Sequence, residues 1–234
     1  MPTLVGTSGY SYPAWKGRFY PKDLPAKKFL QFYASRFSTV EINNTFYKMP
    51  SAELVQSWAD EAPAGFTFAV KAPQRITHQK RLKECEEPLE ELAVAIERLG
   101  GKLGPILFQL PPNFKKDVPR LQAFLALKPK RWRAAFEFRH ESWFADDTYE
   151  ALRAAAVALC IADTEDLSTP LVATAKWGYL RLRREDYVKA DIGKWAKQIS
   201  AQPWDKAFVY FKHEDKAKGP AYASLLMSLL NDKM

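Results

Sequence analysis

Apolar and polar residues alternate with period two in about eight short stretches of this chain, and apolar residues at helical spacing fill most of the intervals. The alternation is sharpest at residues 134–143, Ala-Ala-Phe-Glu-Phe-Arg-His-Glu-Ser-Trp. There Phe136 and Phe138 alternate with Glu137 and Arg139, which describes a strand with one aromatic face and one charged face. A strand flanked by helical segments is buried, and a buried charge is costly unless it is paired and hydrogen-bonded. The charged face therefore lines a polar cavity, or else locks two strands together as an ion pair.

The same pattern predicts strands at residues 3–8, 39–43, 66–71, 105–110, 134–138, 158–163, 178–183 and 208–213. Helices are predicted at 26–37, after the N-cap Ser51 with Leu54, Val55 and Trp58 as its buried stripe, and at 88–99, 117–127, 146–156, 192–199 and 222–230. Residues 164–176 carry Thr and Pro and predict no helix. Repeating units of about 30 residues suit strand–helix repeats. The fold class is therefore α/β, with residues 1–234 forming a single TIM-type (β/α)8 barrel, irregular between strands six and seven. A doubly wound open sheet is the alternative.

With helices outside a barrel, Val40, Ile42, Phe66, Phe68, Val70, Phe136, Phe138, Leu180 and Leu182 face outward. The inward set is then Thr39, Glu41, Asn43, Thr67, Lys71, Glu137, Arg139, Asp163, Tyr179, Arg181 and Arg183. Ordinary barrels fill this space with branched apolar side chains, so charge on several strands points to a pocket. Asn43, Lys71, Gln109, Arg139, His140, Asp163, Arg183 and His213 fall at strand C-terminal ends, where barrel enzymes keep their sites.

Lys71, Arg139, Arg181 and Arg183 together suit a phosphate or carboxylate, because guanidinium groups match such oxyanions bidentately. Asn43, Gln109 and Asp163 add polar ligand contacts. Glu41 and Glu137 are the candidate general acid and base, provided burial separates their pKa values, and His140 completes the catalytic candidates. Neither His140 nor His78 has a Gly-x-Ser-x-Gly elbow to activate. Loop aromatics Tyr10 and Trp143, with Tyr12, Trp15, Phe46 and Tyr47, are candidates to stack on a sugar or base.

Composition narrows the partners. Hydrophobic residues make up 47% and aromatic residues 14% of the chain, enough for a sizeable core and too much for a disordered one. The formal charge of +8 suits an anionic partner, either a small molecule or nucleic acid. For the second, Lys128, Lys130, Arg131 and Arg133 flank Trp132 as a candidate phosphate-contacting cluster. Cys85 and Cys160 stand alone, which argues against a disulfide framework and for a cytoplasmic protein. No leader pattern and no apolar run of spanning length is seen, so no membrane association is expected. Neither a metal nor a cofactor is expected, because no HxH or HExxH spacing occurs and the nearby cations repel a divalent ion. The competing metal reading, a phosphodiesterase resembling xylose-isomerase-like barrels, would use Glu41, Glu137, Asp163, His140 and His213.

Five ordered blocks resemble the YecE-like family, a family of unknown function. They are Gly6-Thr7-Ser8-Gly9-Tyr10 with Trp15, Gly17 and Phe19-Tyr20-Pro21; Val40 through Tyr47; Phe68 through Pro73 with Ile76-Thr77-His78; Leu107 through Pro112; and Glu137-Phe138-Arg139-His140 with Ser142-Trp143. The resemblance implies a TIM-type barrel and no particular reaction. The C-terminal third departs from the family pattern. Arg183-Arg184 stands where the family carries His-Gly, and Lys212-His213 stands where it carries paired asparagines, so this rim is more basic.

Overall fold

Eight parallel strands form one sheet in the computed structural model, which describes residues 1–212 and 215–231. They are β1 (Thr3–Thr7), β2 (Thr39–Ile42), β3 (Thr67–Lys71), β4 (Leu103–Gln109), β5 (Ala134–Glu137), β6 (Ala158–Asp163), β7 (Trp177–Leu182) and β8 (Lys206–Phe211). Hydrogen bonding runs β1-β8-β7-β6-β5-β4-β3-β2. The two ends of that order meet at a parallel bridge between Ser8 and Glu41, where the Gly9 N–H donates to the Glu41 carbonyl at 2.8 Å. This near-closure makes the sheet a TIM-type barrel and overturns the open doubly wound alternative.

The β1–β2 seam is completed by a side chain. The buried Tyr33 hydroxyl accepts from the Thr7 N–H at 2.8 Å and donates to the Thr39 carbonyl at 3.0 Å, standing in for a missing ladder rung. Gly6 is required here, since a Cβ at that position would lie 2.1 Å from the Thr39 carbonyl oxygen.

Helices α1 (Phe29–Ala34), α2 (Ala52–Glu61), α3 (Glu86–Ile96), α4 (Val118–Leu127), α5 (Asp146–Ala154), α6 (Lys189–Ser200) and α7 (Lys218–Asn231) follow the strands, with none among residues 164–176. Ser51 caps α2 as its sequence position suggested, its hydroxyl accepting from the Leu54 N–H at 3.3 Å. In the helix-free connection the buried Thr174 hydroxyl accepts from the Leu159 N–H and donates to the Val157 carbonyl, both at 2.7 Å. A threonine hydroxyl there satisfies β6 backbone groups that would otherwise be buried without a partner. No helix among the described residues is long and apolar enough to cross a membrane.

The strand faces divide as period two requires. Val40, Ile42, Phe66, Phe68, Val70, Phe136, Phe138, Leu180 and Leu182 all belong to the large core beneath the helices. Phe108 and Phe136 stack there at 5.3 Å, with the Phe124 ring set edge-on to Phe108 at 5.1 Å. Inside the barrel lies a second, smaller core of Ala69, Leu107, Ala135, Ala158, Cys160, Tyr179, Phe208 and Tyr210. Small residues on β3, β5 and β6 make room for large aromatics from β7 and β8. Above it the interior turns polar, with Tyr210 Oη 2.8 Å from Thr39 Oγ1 and the Tyr179 hydroxyl donating to Glu41 Oε2 at 2.6 Å.

One member of the expected inward set is misplaced. Asp163 points toward the helical layer, where its Oδ2 accepts from Arg184 Nε (3.0 Å), the Tyr187 hydroxyl (2.9 Å) and Trp195 Nε1 (3.2 Å). Ala158 and Cys160 occupy the inward positions of β6, so parity sends Asp163 outward. His213 lies outside the described residues.

Candidate functional site

Period two carries the polar interior to the barrel's C-terminal end. Arg181, on β7 and 2% exposed, sits between two carboxylates from opposite walls. Its Nη1 donates to Glu137 Oε2 at 2.6 Å, and its Nη2 donates to Glu41 Oε1 at 2.8 Å. Glu41 also accepts from the Ser8 hydroxyl at 2.5 Å and from Tyr179, and Glu137 from Gln109 Nε2 at 2.8 Å and Arg139 Nε at 3.0 Å. Asn43 joins through its side-chain amide, which donates to Ser8 Oγ at 2.8 Å.

Burial by itself would raise both carboxyls, but Arg181 and the hydrogen bonds outweigh it and hold Glu41 and Glu137 below the ordinary carboxylate range. Both shift in the same direction. The condition for an acid–base pair, that burial separates the two, is not met, and both side chains are ionised at neutral pH.

Lys71 ends β3 one layer higher and is 9% exposed. The loop after β2 forms a 3-10 turn at Asn44–Phe46. Within it the Thr45 hydroxyl donates to the Lys71 carbonyl at 2.6 Å, and the Phe46 ring face lies 3.8 Å from Lys71 Nζ. No described carboxylate lies within ion-pair distance of that ammonium. Burial first, then repulsion from Arg181, lowers its pKa to about 7. Arg183 also enters the mouth with no carboxylate partner among the described residues, and burial and Arg181 lower its pKa as well. His78, from the turn after β3, is lowered by burial and by Lys71, and its ring stands edge-on to Phe46 at 4.9 Å.

These residues line a cavity of about 540 Å³ that includes Ser8, Asn43, Lys71, His78, Gln109, Arg139, Arg181 and Arg183. Phe46, Tyr12 and the exposed Tyr47 form its aromatic edge. A second cavity of about 590 Å³ shares Arg139, Arg183 and Lys212 with it and continues toward Thr164, Glu165, Asp166 and Glu185. The first lobe is cationic and the second carries the mouth's acidic loop residues.

The structure thus brings together Glu41, Asn43, Lys71, Gln109, Glu137, Arg139, Arg181 and Arg183. It leaves out four candidates. Asp163 faces the helices, as described. Trp143 is fully buried, stacks on Phe138 at 4.6 Å and donates its indole N–H to the Phe114 carbonyl at 2.7 Å, so it is a packing residue. Tyr10 packs at 6.1 Å from Tyr33 and does not line the cationic cavity, but lines a smaller hollow with Trp58 that shares Tyr12, Asn43 and Asn44 with it. His140 caps the short turn Glu141–Trp143, its Nδ1 accepting from the Ser142 N–H at 3.2 Å, and lines neither mouth cavity. Trp15, too, is buried. Ser8 was missed, although continuing the alternation from Leu4 and Gly6 reaches it. Among the described residues no group of three or more His, Cys, Asp or Glu side chains is placed to hold a metal ion.

In the basic cluster at the start of β5, Lys128 and Trp132 are buried, so no aromatic platform accompanies the exposed Lys130, Arg131 and Arg133. This cluster lies at the opposite end of the barrel from the cavity.

A family profile described as "Protein of unknown function DUF72" matches residues 4–234. The chain belongs to the DUF72 family. Two relatives are the UPF0759 protein YecE of Escherichia coli K12, 30% identical over 142 residues, and the UPF0759 protein YunF of Bacillus subtilis 168, 33% identical over 139 residues. Those alignments take in 60% and 56% of this chain, which spans about half the length of these relatives (50% and 49%). A DUF72 protein of Thermotoga maritima has the same fold over 99% of this chain and 100% of its own, with TM-score 0.86 and 27% identity. A second, from Enterococcus faecalis V583, gives TM-score 0.80 at 20% identity over 98% of this chain and 95% of its own.

Proposed function

We propose that this DUF72 protein is an enzyme that binds an anionic small molecule, bearing phosphate or carboxylate, at the C-terminal mouth of its barrel. One observation carries the reading. Lys71 and Arg183 enter the same cavity without a carboxylate partner among the described residues, while Glu41 and Glu137 are already committed to Arg181. A purely structural network would pair its cations, because desolvating an unpaired charge costs several kcal/mol. An oxyanion held by Lys71, Arg139 and Arg183 would offset that cost. Glu41, Glu137 and Arg181 are then a fixed frame that aims the free cations, and Asn43 and Gln109 complete the polar lining. The place supports enzymatic action, since barrel enzymes work at this face. Two buried free thiols, Cys85 and Cys160, fit a reducing compartment such as the cytoplasm.

Nucleic acid is the second reading, supported by the +8 charge and by Tyr47, 76% exposed at the cavity edge. Salt separates the two. Phosphate-backbone binding weakens steeply with salt through counterion release, whereas a small anion in a half-enclosed pocket loses far less.

Arg139→Ala tests the pocket. Glu137 keeps Arg181 and Gln109, so the variant is expected to lose only about 1 kcal/mol of stability, as for a partly exposed pair. Its affinity for an anion that stabilises wild type is expected to fall by about 1.5–3 kcal/mol, the range for hydrogen bonds to charged groups. Thermal unfolding with and without phosphate, phosphosugars and nucleotides reads both. A wild-type midpoint that no member of the panel moves would remove the anion reading.

A further inference from the structure

Lys71 is the buried nucleophile that anion binding alone leaves unexplained. A lysine that served an oxyanion only as a point charge would work best fully protonated. Lys71 is instead 9% exposed, inward on its strand, and tied down through its own carbonyl by the Thr45 hydroxyl at 2.6 Å. Its Nζ is confined against the Phe46 ring at 3.8 Å, with Arg181 and Arg139 as its cationic neighbours. An amine desolvated beside other cations is the setting in which lysine becomes a nucleophile toward carbonyl carbon. The same cations would hold an acidic group of the incoming molecule.

We infer that Lys71 forms an imine with an anionic aldehyde or ketone whose phosphate or carboxylate rests on Arg139 and Arg183. The inference rests on the anion reading and adds the substrate class. In the step, the Nζ lone pair attacks the carbonyl carbon and the C=O electron pair moves to oxygen. That oxygen takes the proton released from nitrogen, giving a carbinolamine. The hydroxyl then takes a further proton, from solvent, and leaves as water while the nitrogen lone pair forms the C=N bond. The product is a protonated imine, and no oxidant or reductant is consumed.

Geometry and titration agree on the selectivity. With a pKa lowered to about 7, Lys71 is half neutral near pH 7. An exposed lysine of ordinary pKa near 10.4 has roughly a thousandfold less free amine at that pH. The Phe46 face favours the ammonium, which opposes the shift without reversing it.

The test uses the full chain and three probes, pyruvate, glyoxylate and dihydroxyacetone phosphate, each with sodium cyanoborohydride, whose hydride converts an imine to a stable secondary amine. Peptide mass mapping locates the adduct. With at least one probe the adduct is expected on Lys71, while the exposed Lys27 and Lys115 stay unmodified. Lactate and glycerol 3-phosphate, which lack the carbonyl, are expected to suppress it by occupying the anion contacts. Lys71→Met and Lys71→Arg, both checked for cooperative unfolding, are expected to lose it. If lactate or glycerol 3-phosphate stabilises the protein but no probe labels Lys71, the imine is overturned and the anion pocket stands. Labelling of Lys71 no faster than Lys27 overturns it as well. If neither analogue protects or stabilises, the anion reading and the imine fall together.

Discussion

Arg181→Ala is expected to cost about 3–5 kcal/mol of folding stability at pH 7, the loss typical of removing one partner from a buried ion network. The variant leaves Glu41 and Glu137 both buried, with only hydroxyls, the amides of Asn43 and Gln109 and the partly exposed Arg139 to answer them. The loss should depend on pH with a definite sign. In wild type both carboxyls have folded pKa values below the unfolded ones, so their stabilisation is present above the unfolded value near 4.5 and is lost as pH falls through the folded values. Without Arg181, burial dominates and raises them, so the variant is relieved when they protonate. The gap between the proteins should therefore be widest near neutrality and narrow as the pH falls below about 5. Urea unfolding at several pH values measures it. The triple variant Glu41→Gln, Arg181→Met, Glu137→Gln is expected to recover most of the loss, since apolar or neutral replacements of a whole buried network are often neutral. A loss below about 1 kcal/mol for Arg181→Ala would mean the layer is solvated.

Lys71→Met is expected to do the opposite and stabilise the protein, by about 2–4 kcal/mol at pH 6. The sign follows from the lowered pKa. Unfolded, the lysine holds its proton up to about 10.5; folded, it releases it near 7. At pH below 7 the folded state carries the full cost of a buried, unpaired ammonium, and that cost fades as pH rises from 7 toward 10.5. Methionine keeps about the length of the aliphatic stem but removes the charged nitrogen that lies over Phe46. The variant's advantage should thus shrink above pH 7 and vanish near pH 10.5. Urea unfolding of the two proteins from pH 6 to 10 checks this. Equal stability at pH 6 would mean that Lys71 is paired or hydrated.

How much of this was legible in the chain depended on whether one face of a strand differed from the other. On β5 the contrast between Phe136/Phe138 and Glu137/Arg139 was complete, and both faces were read correctly. On β6 it was not. Ala158, Cys160 and Ala162 are as apolar as Leu159 and Ile161, so only a rule that polar means inward was left for Asp163, and Arg184, Tyr187 and Trp195 defeat that rule from the helical side. Trp143 is a packing residue that was illegible for a related reason, since an aromatic in a mouth loop has the same composition whether it packs down or faces a ligand. That one guanidinium bridges Glu41 and Glu137 was beyond reach, because closure and register decide it and neither is written locally. The missing helix after β6 was visible from residue types alone.

The central claim, that the free cations of the mouth form one anion site, is tested most directly by sulfate, which does not itself titrate in the working range. The unfolding midpoint is measured against sulfate concentration from pH 6 to 9 for wild type, Lys71→Met and Arg183→Gln. The charged groups around Lys71 and its cavity are Glu41 from β2, Glu137 from β5 and Arg139 just beyond it, Arg181 from β7 and Arg183 just beyond it, Lys212 after β8, and His78 from the turn after β3. Burial and Arg181 bring Lys71 to a pKa of about 7, with His78 below its ordinary value. Wild type is expected to gain stability from sulfate by ligand linkage, most at pH 6, with the gain falling as Lys71 loses its proton above pH 7. Lys71→Met should show a smaller gain that no longer changes above pH 7, and Arg183→Gln a smaller gain at every pH. A rise that is identical in all three proteins and independent of pH would be the general salting effect of sulfate, and would contradict an anion site at this mouth.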